Sequence, residues 1–176
     1  MALPLHTALR ETLWKPDSPR LHELVVEPSR AYELAWALAS DGMTTRVVRG
    51  RKMRSVDGLF DEVAAALQFP DYFAENWPAF AECLGDLDWL PGKAYALVIV
   101  DAAQVLEEDP LDLPAFVRIL GDVAAEWAEE VARGEEWDRP PVPFHVLFQE
   151  QGAGAAALRE RLRAIDVELA PLEVGP

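Results

Sequence analysis

The spacing of apolar residues changes period repeatedly along this chain, and each change marks an element. Residues 21–27 (LHELVVE) read as a short strand. Ser29, after Pro28, predicts a capped helix through Ala39 that carries Leu34, Trp36 and Leu38 and ends at Asp41-Gly42. Thr44 to Val48 is a β-branched run suited to a strand. Gly50 then supplies a turn, and Ser55 is placed to cap a helix to Leu67, with Leu59, Val63 and Leu67 along one face.

Residues 94–100 (AYALVIV) are apolar throughout, the pattern of a central strand covered on both faces of a parallel sheet. After Asp109-Pro110, Asp112 is positioned to cap a long helix. On it Phe116, Leu120, Val123, Trp127 and Val131 recur at three- and four-residue spacing, with Gly134 as its stop. Residues 135–143 (EEWDRPPVP) form a turn-rich connection, and 144–149 (FHVLFQ) give another strand. A short helix near 155–164 and an edge strand at 167–170 follow. Strands alternating with helices predict an α/β fold with a parallel sheet.

Composition narrows the class. With 176 residues and 51% hydrophobic content, the chain can bury a sizeable core. No apolar run is long enough to span a membrane, and the first residues lack the pattern of a signal peptide, so a cytoplasmic protein is expected. The single cysteine, Cys83, excludes an internal disulfide, and no Cys/His cluster has metal-ligand spacing. A net charge of −15 argues against nucleic acid and for a basic partner. The charge is uneven: residues 1–50 carry six cations and six acids, whereas residues 55–92 carry eight acids and no Lys or Arg. Those eight are Asp57, Asp61, Glu62, Asp71, Glu75, Glu82, Asp86 and Asp88; the plain alternative is a solvated acidic surface.

The segment 69–91 (FPDYFAENWPAFAECLGDLDWLP) is the densest in aromatics and acids together. Asn76 is a good helix cap and Pro78 is tolerated in a first turn, so a helix is predicted from Trp77 to about Gly85. At 3.6 residues per turn, Trp77, Phe80, Cys83 and Leu84 gather on one side. Glu82 and Asp86 point the other way, about 40° apart. Two such acids four residues apart repel and lower helix stability, a cost that selection for binding would explain.

The succession Leu67, Pro70, Asp71, Tyr72, Phe73, Ala74, Glu75, Asn76 and then a helix resembles the binding loop and second helix of the barstar family, and the resemblance covers residues 44–149. It implies a domain at 44–150 built on a small parallel three-stranded sheet. Residues 1–43 would then be an N-terminal strand-helix addition able to extend the sheet, and 151–176 a C-terminal helix and tail. It further implies an intracellular inhibitor whose acidic loop and helix block the active site of a barnase-type ribonuclease, with no catalysis, cofactor or metal. Glu82 would be the central plug, Tyr72, Ala74 and Asn76 the loop contacts, and Asp86 and Leu87 the far end of the helix. Glu126, on the last long helix, would add a carboxylate. The chain departs from the family at Pro78, where the first helical aspartate falls, at Ala81, where an exposed tryptophan falls, and at Glu82 and Ala74, which replace aspartate and glycine. Trp89 either supplies the missing aromatic or seals the core. The alternative is a diverged interaction or regulatory module without a nuclease target, favoured by Pro78 and Ala81.

Three other signals compete. Gly152, Gly154 and Ala157 satisfy a dinucleotide fingerprint, but only 19 residues follow Ala157, too few for the rest of a nucleotide-binding unit. His145 lies in a strand without a companion nucleophile and reads as structural, with His6 and His22 less informative still. Glu75 and Glu82 could pair as hydrolytic carboxylates, but no substrate groove is indicated.

Overall fold

In a computed structural model, which describes residues 7–174, one sheet takes strands from both ends of the chain. His6 lies outside the described residues. The strands are β1 (Leu21–Val25), β2 (Thr44–Arg49), β3 (Tyr95–Val100), β4 (Phe144–Glu150) and β5 (Ala170–Pro171). Their order is β2-β3-β4-β1-β5, and every pairing is parallel. Residues 44–150 supply three adjacent parallel strands, β2, β3 and β4, and β1 and β5 extend the sheet to five. The N-terminal strand lies inside it, hydrogen-bonded to β4 from the Leu21↔Val146 pair to Val25↔Glu150, because β1 buries residues on both faces, from His22 to Leu24.

The helices are α1 (Thr7–Leu13), α2 (Pro28–Ser40), α3 (Val56–Leu67), α4 (Trp77–Asp86), α5 (Leu113–Trp127) and α6 (Gly152–Arg163). Alternation along β3 sorts the cores: Ala96, Val98 and Val100 meet α1 and α2, while Tyr95, Leu97 and Ile99 meet α3 to α6. No described helix is long and apolar enough to cross a membrane.

Several local expectations are corrected. Helix α2 begins at Pro28 with Glu27 in the capping position, because proline's fixed φ suits a first turn; Ser29 is already helical. Ala31, Leu34, Ala35 and Leu38 form its buried stripe, which leaves Trp36 58% exposed. Helix α5 stops at Trp127, short of Val131 and Gly134. The Arg139 guanidinium donates to the carbonyls of Glu126, Trp127 and Glu129 at that end, while Val131 leaves the helix to bridge Arg139.

Candidate functional site

The acidic segment is held from beneath by aromatic rings. Helix α3 ends at Gln68 in the left-handed region, and the chain then turns through Phe73 N–H to the Pro70 carbonyl. Phe69 and Phe73 meet edge to face at 5.1 Å, and Phe73 meets Phe60 at 5.6 Å. With both phenylalanines turned inward, Tyr72 is left 65% exposed between them. Asn76 caps α4 as its sequence predicts: its side-chain oxygen accepts from Ala79 N–H at 2.9 Å.

Three indole N–H groups fix α4 and its flanks to neighbouring elements. Trp77, packed on Phe60 at 4.9 Å, donates to Asp112 Oδ1 at 2.9 Å. Asp112 thus occupies the capping position of α5 without a capping bond of its own; its carboxylate takes the Trp77 N–H instead. Trp127 of α5 donates to the Leu84 carbonyl, and Trp89 to the Leu67 carbonyl, each at 2.9 Å. Each bond satisfies a donor in a packed setting where an orphan would cost about 1–3 kcal/mol.

On this platform Phe80, Cys83 and Leu84 face the core, and Glu82 is exposed with Asp86 half-buried one turn on. Burial, then the neighbouring charges of Glu82 and Asp86, pushes the Cys83 thiol up. Burial, then Asp88 and Glu82, likewise raises the Asp86 carboxyl above its usual range. Desolvation, then Asp86 and more weakly Glu82 and Asp88, raises the Tyr72 hydroxyl. The phenol and the three carboxylates therefore share one negative field. Among the described residues, no ion pair reaches Asp71, Glu75, Glu82, Asp86 or Asp88. Glu62 is different: it is bound bidentate by Arg49 of β2 at 2.7 and 2.9 Å and belongs to the scaffold.

Of the residues named from sequence, Tyr72, Ala74, Asn76, Pro78 and Glu82 lie exposed on the loop and α4, with Ala81 and Asp86 half-buried beside them. Glu126 lies beside them on α5, its Oε2 3.7 Å from where a Cβ on Gly85 would sit, an ordinary contact distance that places the carboxylate next to the C-terminal end of α4. Leu87 does not belong to this surface. It is 1% exposed, since α4 ends there in a left-handed residue that turns the side chain into the core. Trp89 is half-buried against Phe69 with its N–H bonded to Leu67, so it works from below.

The competing signals take structural roles. The carboxylate of Glu150 stands where a Cβ on Gly154 would be, and accepts from Ala103 N–H at 2.8 Å and Gln151 N–H at 3.3 Å. The start of α6 is thus filled by the chain's own anion. His145 is fully buried; its Nε2 donates to the Lys15 carbonyl at 3.2 Å, and its Nδ1 lies 3.0 Å from His22 Nε2. A carbonyl can only accept, so this chain fixes both neutral tautomers and leaves His22 Nδ1 a buried acceptor without a donor. A cleft of about 540 Å³ beside α6 is lined by Arg159 and Glu23, which already neutralise each other at 2.6 Å. Among the described residues, no group of three or more His, Cys, Asp or Glu is placed to hold a metal ion.

No curated protein matches the chain. The model of one family, described as Barstar (barnase inhibitor), matches residues 43–149, from the residue before β2 to the penultimate residue of β4. That match spans the loop, α4, α5 and well over half of the sequence, and the chain belongs to the barstar family.

Proposed function

We propose that this chain is a stoichiometric inhibitor of a basic ribonuclease of the barnase type, acting from the cytoplasm without catalysis, metal or cofactor. The observation that carries this reading is the uncompensated acidic surface of Glu82 and Asp86 on α4 and Asp88 just after it, on a segment held by three indole N–H bonds. Carboxylates on such a rigid support can occupy the place of substrate phosphate among an enzyme's cations, and their field speeds encounter with a positive partner. Tyr72, Ala74, Asn76, Pro78, Ala81, Glu82, Asp86 and Glu126 form the contact surface, with Leu87 and Trp89 supporting it from inside.

The test is titration of the protein against a barnase-type ribonuclease, following RNA cleavage and binding at low and physiological salt. Tight inhibition that weakens with salt is expected. A folded Glu82→Gln, Asp86→Asn variant should associate more slowly and bind more weakly. The barnase–barstar complex is itself a standard case of such charge coupling, so the direction of the effect is inferred and not its size. Wild-type rates in that variant would remove the plug role from these carboxylates. A second reading, a module of this family with another target, draws on Pro78 and Ala81, which leave α4 without an aromatic on its exposed face. Absence of both binding and inhibition would favour it.

A further inference from the structure

The acidic surface just described is rich in charge and poor in apolar area: Pro78, Ala79 and Ala81 are small, and Tyr72 is the one large exposed ring on the loop. Protein interfaces draw most of their affinity from a few buried anchors, with tryptophan foremost, while charge mainly governs encounter. A second exposed ring lies outside this segment. Trp137, 64% exposed, tops the connection between α5 and β4.

That connection is a constructed hairpin. Val131 and Arg139 exchange backbone hydrogen bonds of 2.9 Å each, and Asp138 accepts from Arg133 N–H at 2.8 Å and Gly134 N–H at 2.6 Å. At its base the Arg139 guanidinium lies 4.4 Å over the Trp127 ring while holding the carbonyls that end α5. The same Trp127 bonds α4 through Leu84, and Glu126, one residue earlier, meets α4 at Gly85. The base of the hairpin is thus tied, through Trp127, to the C-terminal end of α4, and Trp137 lies two residues from the Arg139 anchor. Glu135 and Glu136, exposed and next to Trp137 in sequence, make the tip acidic, with Arg133 the exposed cation nearby in sequence.

We infer that the 131–139 hairpin is a second arm of the partner-binding surface, and that Trp137 is its apolar anchor, seated in the same basic protein that α4 engages. This rests on the inhibitor reading above. The hairpin backbone is already ordered, an indole has only two side-chain torsions to fix on docking, and its contact is short-range. It therefore acts on dissociation, whereas Glu82 and Asp86 act on association.

The experiment compares wild type, Trp137→Ala, Trp137→Phe and Glu82→Gln by stopped-flow association and by dissociation from a barnase-type ribonuclease. Equal thermal midpoints serve as the control for folding. Trp137→Ala should dissociate about tenfold faster or more with its association rate unchanged, and Trp137→Phe should recover part of the loss. Wild-type dissociation in Trp137→Ala, alongside weakened binding by Glu82→Gln, would overturn the anchor and leave the inhibitor reading standing. Failure of the wild type to bind at all would overturn both.

Discussion

Against one face of the sheet, rings pack on rings: Phe60, Phe80 and Phe116 run from α3 through α4 to α5, and Tyr95, Phe144 and Trp127 continue the layer over β3 and β4. Against the other face α1 and α2 lay leucine and alanine over Ala96, Val98 and Leu147, with the His22–His145 pair and Gln149 as buried polar groups on that side. The difference follows from what each face supports. Aliphatic packing is enough to cover a sheet. The face that carries several like charges without a cation is instead built on stiff rings whose N–H groups can be aimed at fixed acceptors, and indoles supply both.

Core truncation breaks this comparison most severely. Phe80→Ala, at a fully buried position beneath the acids, should cost about 3–5 kcal/mol and also weaken ribonuclease binding by the molecules that remain folded. Leu38→Ala, equally buried on the other face, should cost about 2–5 kcal/mol and leave the affinity of the folded fraction intact. Urea unfolding combined with Kd values corrected for folded fraction separates the two. Equal effects on affinity would mean that the faces are not specialised.

Acid sharpens the comparison from the aliphatic side. Burial, then the charge of His145, holds His22 down to about 4; burial chiefly holds His145 at about 4, against carbonyls that raise it. Unfolded imidazoles titrate near 6.5. Between those values the unfolded chain binds protons that the folded chain refuses, so stability should fall as pH drops from about 6.5 to about 4. The loss is on the order of a few kcal/mol, with no contribution from this pair above that window. Urea midpoints across pH 4–8 measure it, and a His22→Leu, His145→Leu double variant should flatten the slope. A slope unchanged in that variant would assign the acid sensitivity elsewhere.

The smallest effect carries the opposite sign. Glu82→Gln, Asp86→Asn removes a repulsion between acids one turn apart and should raise stability by a few tenths of a kcal/mol while lowering affinity. A thermal melt detects this, and a loss of stability would mean that the acids are part of the scaffold.

Local pattern in the sequence is enough to place α3, α4 and β3, because a cap and a stripe specify a helix and an unbroken apolar run specifies a covered strand. The insertion of β1 beside β4 escapes such reasoning: Leu21 and Val146 lie more than a hundred residues apart, and a strand's own pattern does not name its partner. Leu87 escapes because helical periodicity ends at Asp86, and a left-handed residue redirects its side chain. Asp112 offered one carboxylate to two donors, its own helix start and the Trp77 indole, and only packing decided between them. Trp36 was legible after all, since it lies two residues from Leu34 and about 200° around the helix from it.

The three indole bonds around α4 act like the legs of a tripod: one stands on the start of α5, one reaches in from its far end, and one stands on the end of α3. A platform fixed at three separate points has little freedom left to surrender when a partner arrives, so little binding free energy is diverted into ordering it. The same stiffness forbids accommodation. A partner whose cations are displaced by an ångström or two would meet a surface that does not follow them, and selectivity would then come from shape held in advance as much as from charge.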